Sequence, residues 1–183
     1  MVAEIKDFLD NETCDELISI AKKNLTKTTT LGEEIDGYRV AQGTFLKPIK
    51  KVVKDVVNKV SDLIKIPINR FEDLHVVEYN IGGEYKDHHD FFHENEEYYI
   101  DEMERGGQRI ITAIMYLNDD FEGGETNFPS YGKKVTPKKG KLILWTNVDE
   151  YGNVDFNSLH AGLPVINGTK YIAVIWIREF EFI

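Results

Sequence analysis

The apolar residues of this chain change period once, near Leu74, and that change limits the folds open to it. Upstream, Cys14, Leu17, Ile18, Ala21 and Leu25 recur at steps of one, three and four, which is one face of a helix. Ile49, Val52, Val53, Val56, Val57, Val60, Leu63 and Ile64 trace a second such face, with lysines on its solvated side. Asp10 stands where an N-cap would open the first helix, after a short strand expected over residues 5–9. Pro48 suits the first position of the second helix, and Pro67 ends it. The polar run 26–37 reads as a loop, and 38–46 is rich in β-formers.

Downstream the pattern is strand-like. LHVVEY, EYKDHHD, RIITAIMYLN, ETNFP, KKVTP, KLILWTN, LPVI and KYIAVIWIREFEFI are short apolar or alternating runs. Gly82-Gly83, the stretch 119–124, Lys139-Gly140 and an Asn167-Gly168 hairpin signal punctuate them. Two helices followed by many short strands predict a mainly β fold, a double-stranded β-helix or jelly-roll barrel with helices packed on one side. No repeat or linker divides the 183 residues, so one domain is expected over 1–183. Within it, 1–66 would be a helical support region and 67–183 the jelly-roll core.

Composition narrows the function classes. A formal net charge of -10 repels phosphate backbones and disfavours a nucleic-acid substrate. A single cysteine, Cys14, excludes an internal disulfide framework, and its apolar helical position reads as a core thiol. No run approaches the roughly 20 apolar residues of a membrane span, and MVAEIKDFLDNE has neither a basic leader nor an apolar stretch. A cytoplasmic protein with no membrane partner is the expectation. The oligomeric state has no signature in the sequence.

The polar residues that could carry chemistry gather around YKDHHDFF. On an extended chain His88 and Asp90 point to one face while His89 points away. His160, in SLHAGLPV, could add a third ligand. Two histidines and a carboxylate on one face of an iron leave positions for a bidentate co-substrate and dioxygen. The HxD triplet alone also fits two solvated polar residues at a strand end. His75 and His93 read as structural residues. The acidic, aromatic stretch 91–107 reads as a long surface loop, either a lid over the site or a solvated excursion.

Beyond the triplet, YNIGGEYKDHHDFF, RIITAIMYLND, GGETNFP and LHAGLPVINGTKYIAVIWIRE resemble, in that order, the catalytic domain of prolyl 4-hydroxylases. These belong to the 2-oxoglutarate and Fe(II)-dependent dioxygenase superfamily. NETCDELISIAK and GTFL resemble the same family's leading helix and following strand, so the likeness covers nearly the whole chain. It implies Fe(II) held by His88, Asp90 and His160. It also implies that Lys170 binds the distal carboxylate of 2-oxoglutarate, with the Tyr79 hydroxyl and Thr126 in the same pocket. Lys170 would lie on a strand paired, through the Asn167-Gly168 turn, with the one following His160.

The same likeness places Glu72, Arg109 and Trp176 along a substrate groove. It implies a proline-rich peptide or protein substrate, dioxygen as oxidant, ascorbate as reductant, and decarboxylation of 2-oxoglutarate to succinate coupled to hydroxylation. Arg178 departs from the family pattern, which often has a histidine two residues after the tryptophan. Two other readings stand beside this one. The iron chemistry could act on another residue, a free amino acid or a small metabolite, or the barrel could be a non-catalytic binding module.

Overall fold

The computed structural model describes residues 2–28 and 37–183. The first part of the chain forms β1 (Val2–Ile5), α1 (Asn11–Ala21), β2 (Thr26–Lys27), β3 (Gln42–Leu46) and α2 (Lys51–Ile64). Next come β4 (Leu74–Tyr79), β5 (Tyr85–His88), α3 (Tyr99–Glu104) and β6 (Arg109–Tyr116). The rest is β7 (Glu122–Gly123), β8 (Thr126–Phe128), β9 (Lys133–Val135), β10 (Leu142–Thr146), β11 (His160–Gly162), β12 (Val165–Asn167) and β13 (Lys170–Arg178).

Both long helices form on the expected apolar faces, although α1 ends at Ala21, short of Leu25, and Leu63 of α2 is exposed. The Asp10 carboxylate accepts the Thr13 backbone N–H at 2.8 Å and opens α1. In α2 five valines are buried, although valine is a poor helix former, because each packs against the sheet below. A left-handed Lys65 ends α2, its N–H returning to Ser61 O at 2.8 Å two residues before Pro67. The start differs from expectation. α2 begins at Lys51 rather than Pro48, and Ile49 is 85% exposed, off the buried face.

The strand expected over residues 5–9 lies earlier, at β1, because Asp7 adopts a positive φ of 52° and turns the chain. Of the loop expected over 26–37, Thr26 and Lys27 form β2, and residues 29–36 lie outside the described residues. Residues 1–66 supply more than helices, since β1, β2 and β3 all join the main sheet.

That sheet has seven antiparallel strands in the order β1-β10-β6-β13-β4-β3-β2. A four-stranded sheet, β5-β11-β8-β9, and the short pair β12-β7 complete a jelly roll. Along β13, Tyr171, Ala173, Ile175 and Ile177 pack in the cluster shared with α1 and α2. Ile172, Val174 and Trp176 pack in a second cluster with Phe128 and Val135 of the smaller sheet. The central strands β4, β6 and β13 are covered on both faces, so they read as nearly unbroken apolar runs. Cys14 is fully buried, and burial pushes its thiol up to about 11, which leaves it an inert core group. No helix among the described residues is long and apolar enough to cross a membrane.

One expected pairing is absent. The Asn167-Gly168 turn is not a hairpin, because β12 pairs with β7 while β13 pairs with β4 and β6. Gly168, at φ +80°, carries the chain from the short pair into the large sheet, where a Cβ would meet Asp120 O at 3.0 Å. Burial of both faces of β13 outweighs the local hairpin preference.

Candidate metal and co-substrate site

β11 pairs with β5 so that His160 stands opposite His88, and Asp90 follows two residues later, just past the end of β5. One ligand atom from each of the three residues lies within 4.8 Å of the others. His88 Nε2 is 3.7 Å from Asp90 Oδ1, and His160 Nε2 is 3.5 Å from Asp90 Oδ2. Ligands about 2.1 Å from a first-row divalent ion and at right angles stand about 3 Å apart, so these three side chains could hold such an ion after drawing together.

The surroundings favour the coordinating forms of His88 and Asp90 and orient both candidate histidines. His88 Nδ1 lies 2.7 Å from Lys86 O and His160 Nδ1 2.9 Å from Ser158 O. A proton on each Nδ1 leaves both Nε2 lone pairs facing the site. Burial, then the neighbouring His160, pushes the His88 imidazole well down, which favours the neutral ligating form. Burial alone would raise the Asp90 carboxyl. His160, His88 and the Thr112 hydroxyl outweigh it and hold the group below its ordinary value.

The rings are also fixed in place. His88 stacks on Tyr85 at 3.4 Å between centroids, and Trp145 packs edge-on against His160 at 4.6 Å. His89, by contrast, turns outward, with Nε2 3.1 Å from Phe156 O and its ring against Phe91 and Phe156.

The three residues share a cavity of about 430 Å³, including its open mouth, with Lys170, Tyr79, Thr126 and Trp176. Lys170 lies on the inner face of β13, opposite Tyr79 in register, and is 2% exposed. Its ammonium donates to Gly124 O at 2.7 Å and sits 5.0 Å from the Tyr79 ring centre. No carboxylate among the described residues forms an ion pair with it. Burial pushes the amine down to about 8, with Glu125 opposing only in part. A buried, unpaired ammonium at the wall of a cavity is a place for an anion. Close by, the Tyr116 hydroxyl and Thr126 Oγ1 are 2.6 Å apart. Burial raises the Tyr79 hydroxyl, and Arg39 opposes that rise.

Glu72, Arg109 and Trp176 come together at the other end of β13. Arg109 grips Glu72 through two hydrogen bonds of 2.7 Å and lies 4.1 Å from the Trp176 ring centre. Arg178, 0% exposed, joins them by donating to Glu72 Oε1 at 2.9 Å and to Glu102 Oε2 at 3.2 Å. It also donates to the Glu102 backbone carbonyl. Glu102 belongs to α3, so this network ties the 91–107 stretch to Glu72 and Arg109. A second anchor is the Gln108 side chain, which pairs with both the N–H and the carbonyl of Phe92 at 2.7 and 3.0 Å.

Sequence reasoning missed several of these neighbours. Thr112 was legible as the lone polar inward position of the β6 run, between apolar residues. Asn147, which donates to Thr112 Oγ1 at 2.9 Å, and Glu102 had no such signal, because their partners are distant in sequence. Arg39 was also missed. It lines the cavity with its guanidinium 4.7 Å from the Tyr85 ring centre, and its buried Nε has no partner.

Comparison with known proteins agrees with this geometry. The model of the 2OG-Fe(II) oxygenase superfamily matches residues 74–178. Prolyl 4-hydroxylase 5 of Arabidopsis thaliana is 36% identical over 203 residues, spanning 96% of this chain and 67% of its own length. A putative prolyl 4-hydroxylase of Acanthamoeba polyphaga mimivirus is 31% identical, spanning 97% of this chain and 74% of its own. The crystal structure of a viral collagen prolyl hydroxylase from Paramecium Bursaria Chlorella virus-1, a 2OG complex, matches with a TM-score of 0.78 and 31% identity. That match covers 97% of this chain and 95% of the viral one. A strand-end His-x-Asp facing a second histidine, an unpaired lysine on the same cavity wall and likeness along nearly the entire chain place this protein in the 2OG-Fe(II) oxygenase superfamily, as a prolyl 4-hydroxylase-like member.

Proposed function

We propose that this dioxygenase hydroxylates prolyl residues in proline-rich peptide or protein segments, coupling that to conversion of 2-oxoglutarate to succinate. The observation that carries the reading is a single cavity. It holds three converging metal-ligand side chains and an unpaired ammonium, and its wall continues to Trp176. The relatives named as prolyl 4-hydroxylases match 96–97% of the chain, so the likeness takes in this groove as well as the site.

In this reading His88, Asp90 and His160 hold Fe(II). Bound iron, with 2-oxoglutarate, supplies the activation of dioxygen needed to hydroxylate an unactivated C–H bond. The protein's own residues position the reactants. Lys170 meets the distal carboxylate of 2-oxoglutarate, with Tyr79 and the Tyr116–Thr126 pair alongside. Ile114, Ile172, Val174 and Trp176 make one side of the wall apolar, which limits water at the reacting centre. Glu72 is saturated by Arg109 and Arg178, so its role is to hold Arg109 across the Trp176 face for the substrate chain.

Incubation with iron, 2-oxoglutarate, ascorbate and proline-rich peptides, read by mass spectrometry, tests the proposal. A gain of one oxygen on proline is the expected outcome. Oxygen gained only by other residues, free amino acids or small metabolites would keep the dioxygenase and overturn the prolyl substrate.

A further inference from the structure

The inner face of the large sheet does not stop at the cavity. Val174, which lines it, stands opposite His75 on β4, and His75 stands opposite Phe45 on β3. The Phe45 and His75 rings lie flat on each other, 4.1 Å apart and 8° from parallel. His75 in turn approaches Trp176 at 5.8 Å. Three rings therefore run in a row from the cavity wall outward, with His75 4% exposed and Phe45 57% exposed.

A lone exposed phenylalanine needs no explanation. This one is different because it is held and because it continues the site. The stack fixes its ring, and Gly43, two residues earlier on the same strand, leaves room for the imidazole beneath. A Cβ at that glycine would lie 2.6 Å from His75 Nε2. Burial, then Arg39 and Arg109, pushes the imidazole down to about 3, so at neutral pH the row is an uncharged aromatic shelf.

We infer that Phe45 forms a subsite for a second prolyl ring of the substrate, three residues from the one in the cavity. The inference rests on the proline-rich substrate proposed above. A polyproline II chain rises about 3.1 Å per residue with three residues per turn, so residues i and i+3 share a face about 9.3 Å apart. From Val174 to Phe45 is two strand spacings, about 9.6 Å. Aromatic surfaces are what such chains dock on, since proline loses little entropy and offers a compact apolar ring face.

The test compares wild type with Phe45→Ala and Phe45→Leu on peptides of one target proline carrying proline or alanine at positions +3 and -3. Leucine at position 45 still covers His75 but has no flat ring, so it separates the shelf from a local packing defect. For wild type, replacing one of the two flanking prolines should cut kcat/KM about three- to tenfold, the range of an aromatic contact. Both variants should lose the same factor on the intact peptide and become indifferent to that replacement. The 2-oxoglutarate KM should not move. Equal use of the intact peptide by Phe45→Leu and wild type, or a loss that persists whichever flanking residue is present, overturns the shelf. Turnover of no proline peptide by wild type removes the substrate reading and the shelf together.

Discussion

The Thr112 hydroxyl donates to Asp90 Oδ2 at 2.7 Å, and so the only carboxylate of the candidate triad is held from behind by a β6 side chain. Asn147 donates to that same hydroxyl at 2.9 Å, which orients its proton toward Asp90. Groups of this kind aim a metal ligand, and their loss costs roughly 10–100-fold in metal affinity. Thr112→Val should therefore raise the iron concentration for half-maximal turnover by about that factor, while saturating iron restores most activity. Iron titration of succinate formation gives the answer, and an unchanged midpoint would show that Asp90 orients itself.

His88→Ala, Asp90→Ala and His160→Ala should each abolish iron-dependent succinate formation while the thermal transition of the iron-free protein stays cooperative. His89→Ala should retain iron binding, because that ring faces Phe156 rather than the cavity. Loss in His89→Ala comparable to His88→Ala would contradict the outward orientation.

Lys170→Met removes the cation proposed to meet the distal carboxylate. A buried charge-assisted hydrogen bond contributes about 1.5–3 kcal/mol, so 2-oxoglutarate affinity should fall roughly ten- to a hundredfold with iron affinity little changed. The pH dependence follows from the amine pushed down to about 8 from an ordinary 10.5. Below about 8 the folded enzyme carries the ammonium and binds the dianion. Above it the amine is neutral, so affinity should weaken by up to about tenfold per pH unit. Folding runs the other way, since between about 8 and 10.5 the unfolded chain binds the extra proton and stability rises with pH. Lys170→Met should show neither trend, which calorimetry of ligand binding and of unfolding can measure across pH 7–10.

The 91–107 stretch is pinned at Phe92 by Gln108 and at Glu102 by Arg178. Shortening it between these anchors, within 93–98, should sharply reduce peptide hydroxylation. Peptide-independent decarboxylation of 2-oxoglutarate should persist, because the triad and Lys170 lie outside the segment. Arg178→Met should instead destabilise the whole protein by about 1.5–3 kcal/mol, since Glu72 keeps Arg109 and Glu102 keeps Arg105 but both lose a buried charge-assisted partner. Chemical denaturation checks the second outcome. Intact stability would mean that water reaches those carboxylates.

By itself the sequence determined the elements whose causes are local. Asp10 caps a helix because its own side chain reaches Thr13, and the valines of α2 repeat with the helical period that buries them. The strands could be read because alternation and apolar runs are properties of a few consecutive residues. His88 and Asp90 could be paired because a strand puts alternate side chains on one face. Tertiary structure decided what depends on which strands meet. The hairpin expected at Asn167-Gly168 fails because β13 finds two larger partners, and burial of both its faces outweighs a turn preference. His160 reaches His88 only through the β5–β11 pairing. Arg178, Glu102 and Glu72 become one buried network because desolvated charges must meet their opposites, wherever along the chain those lie. The row from Trp176 through His75 to Phe45 exists only in the register of three strands, which no single stretch of sequence contains.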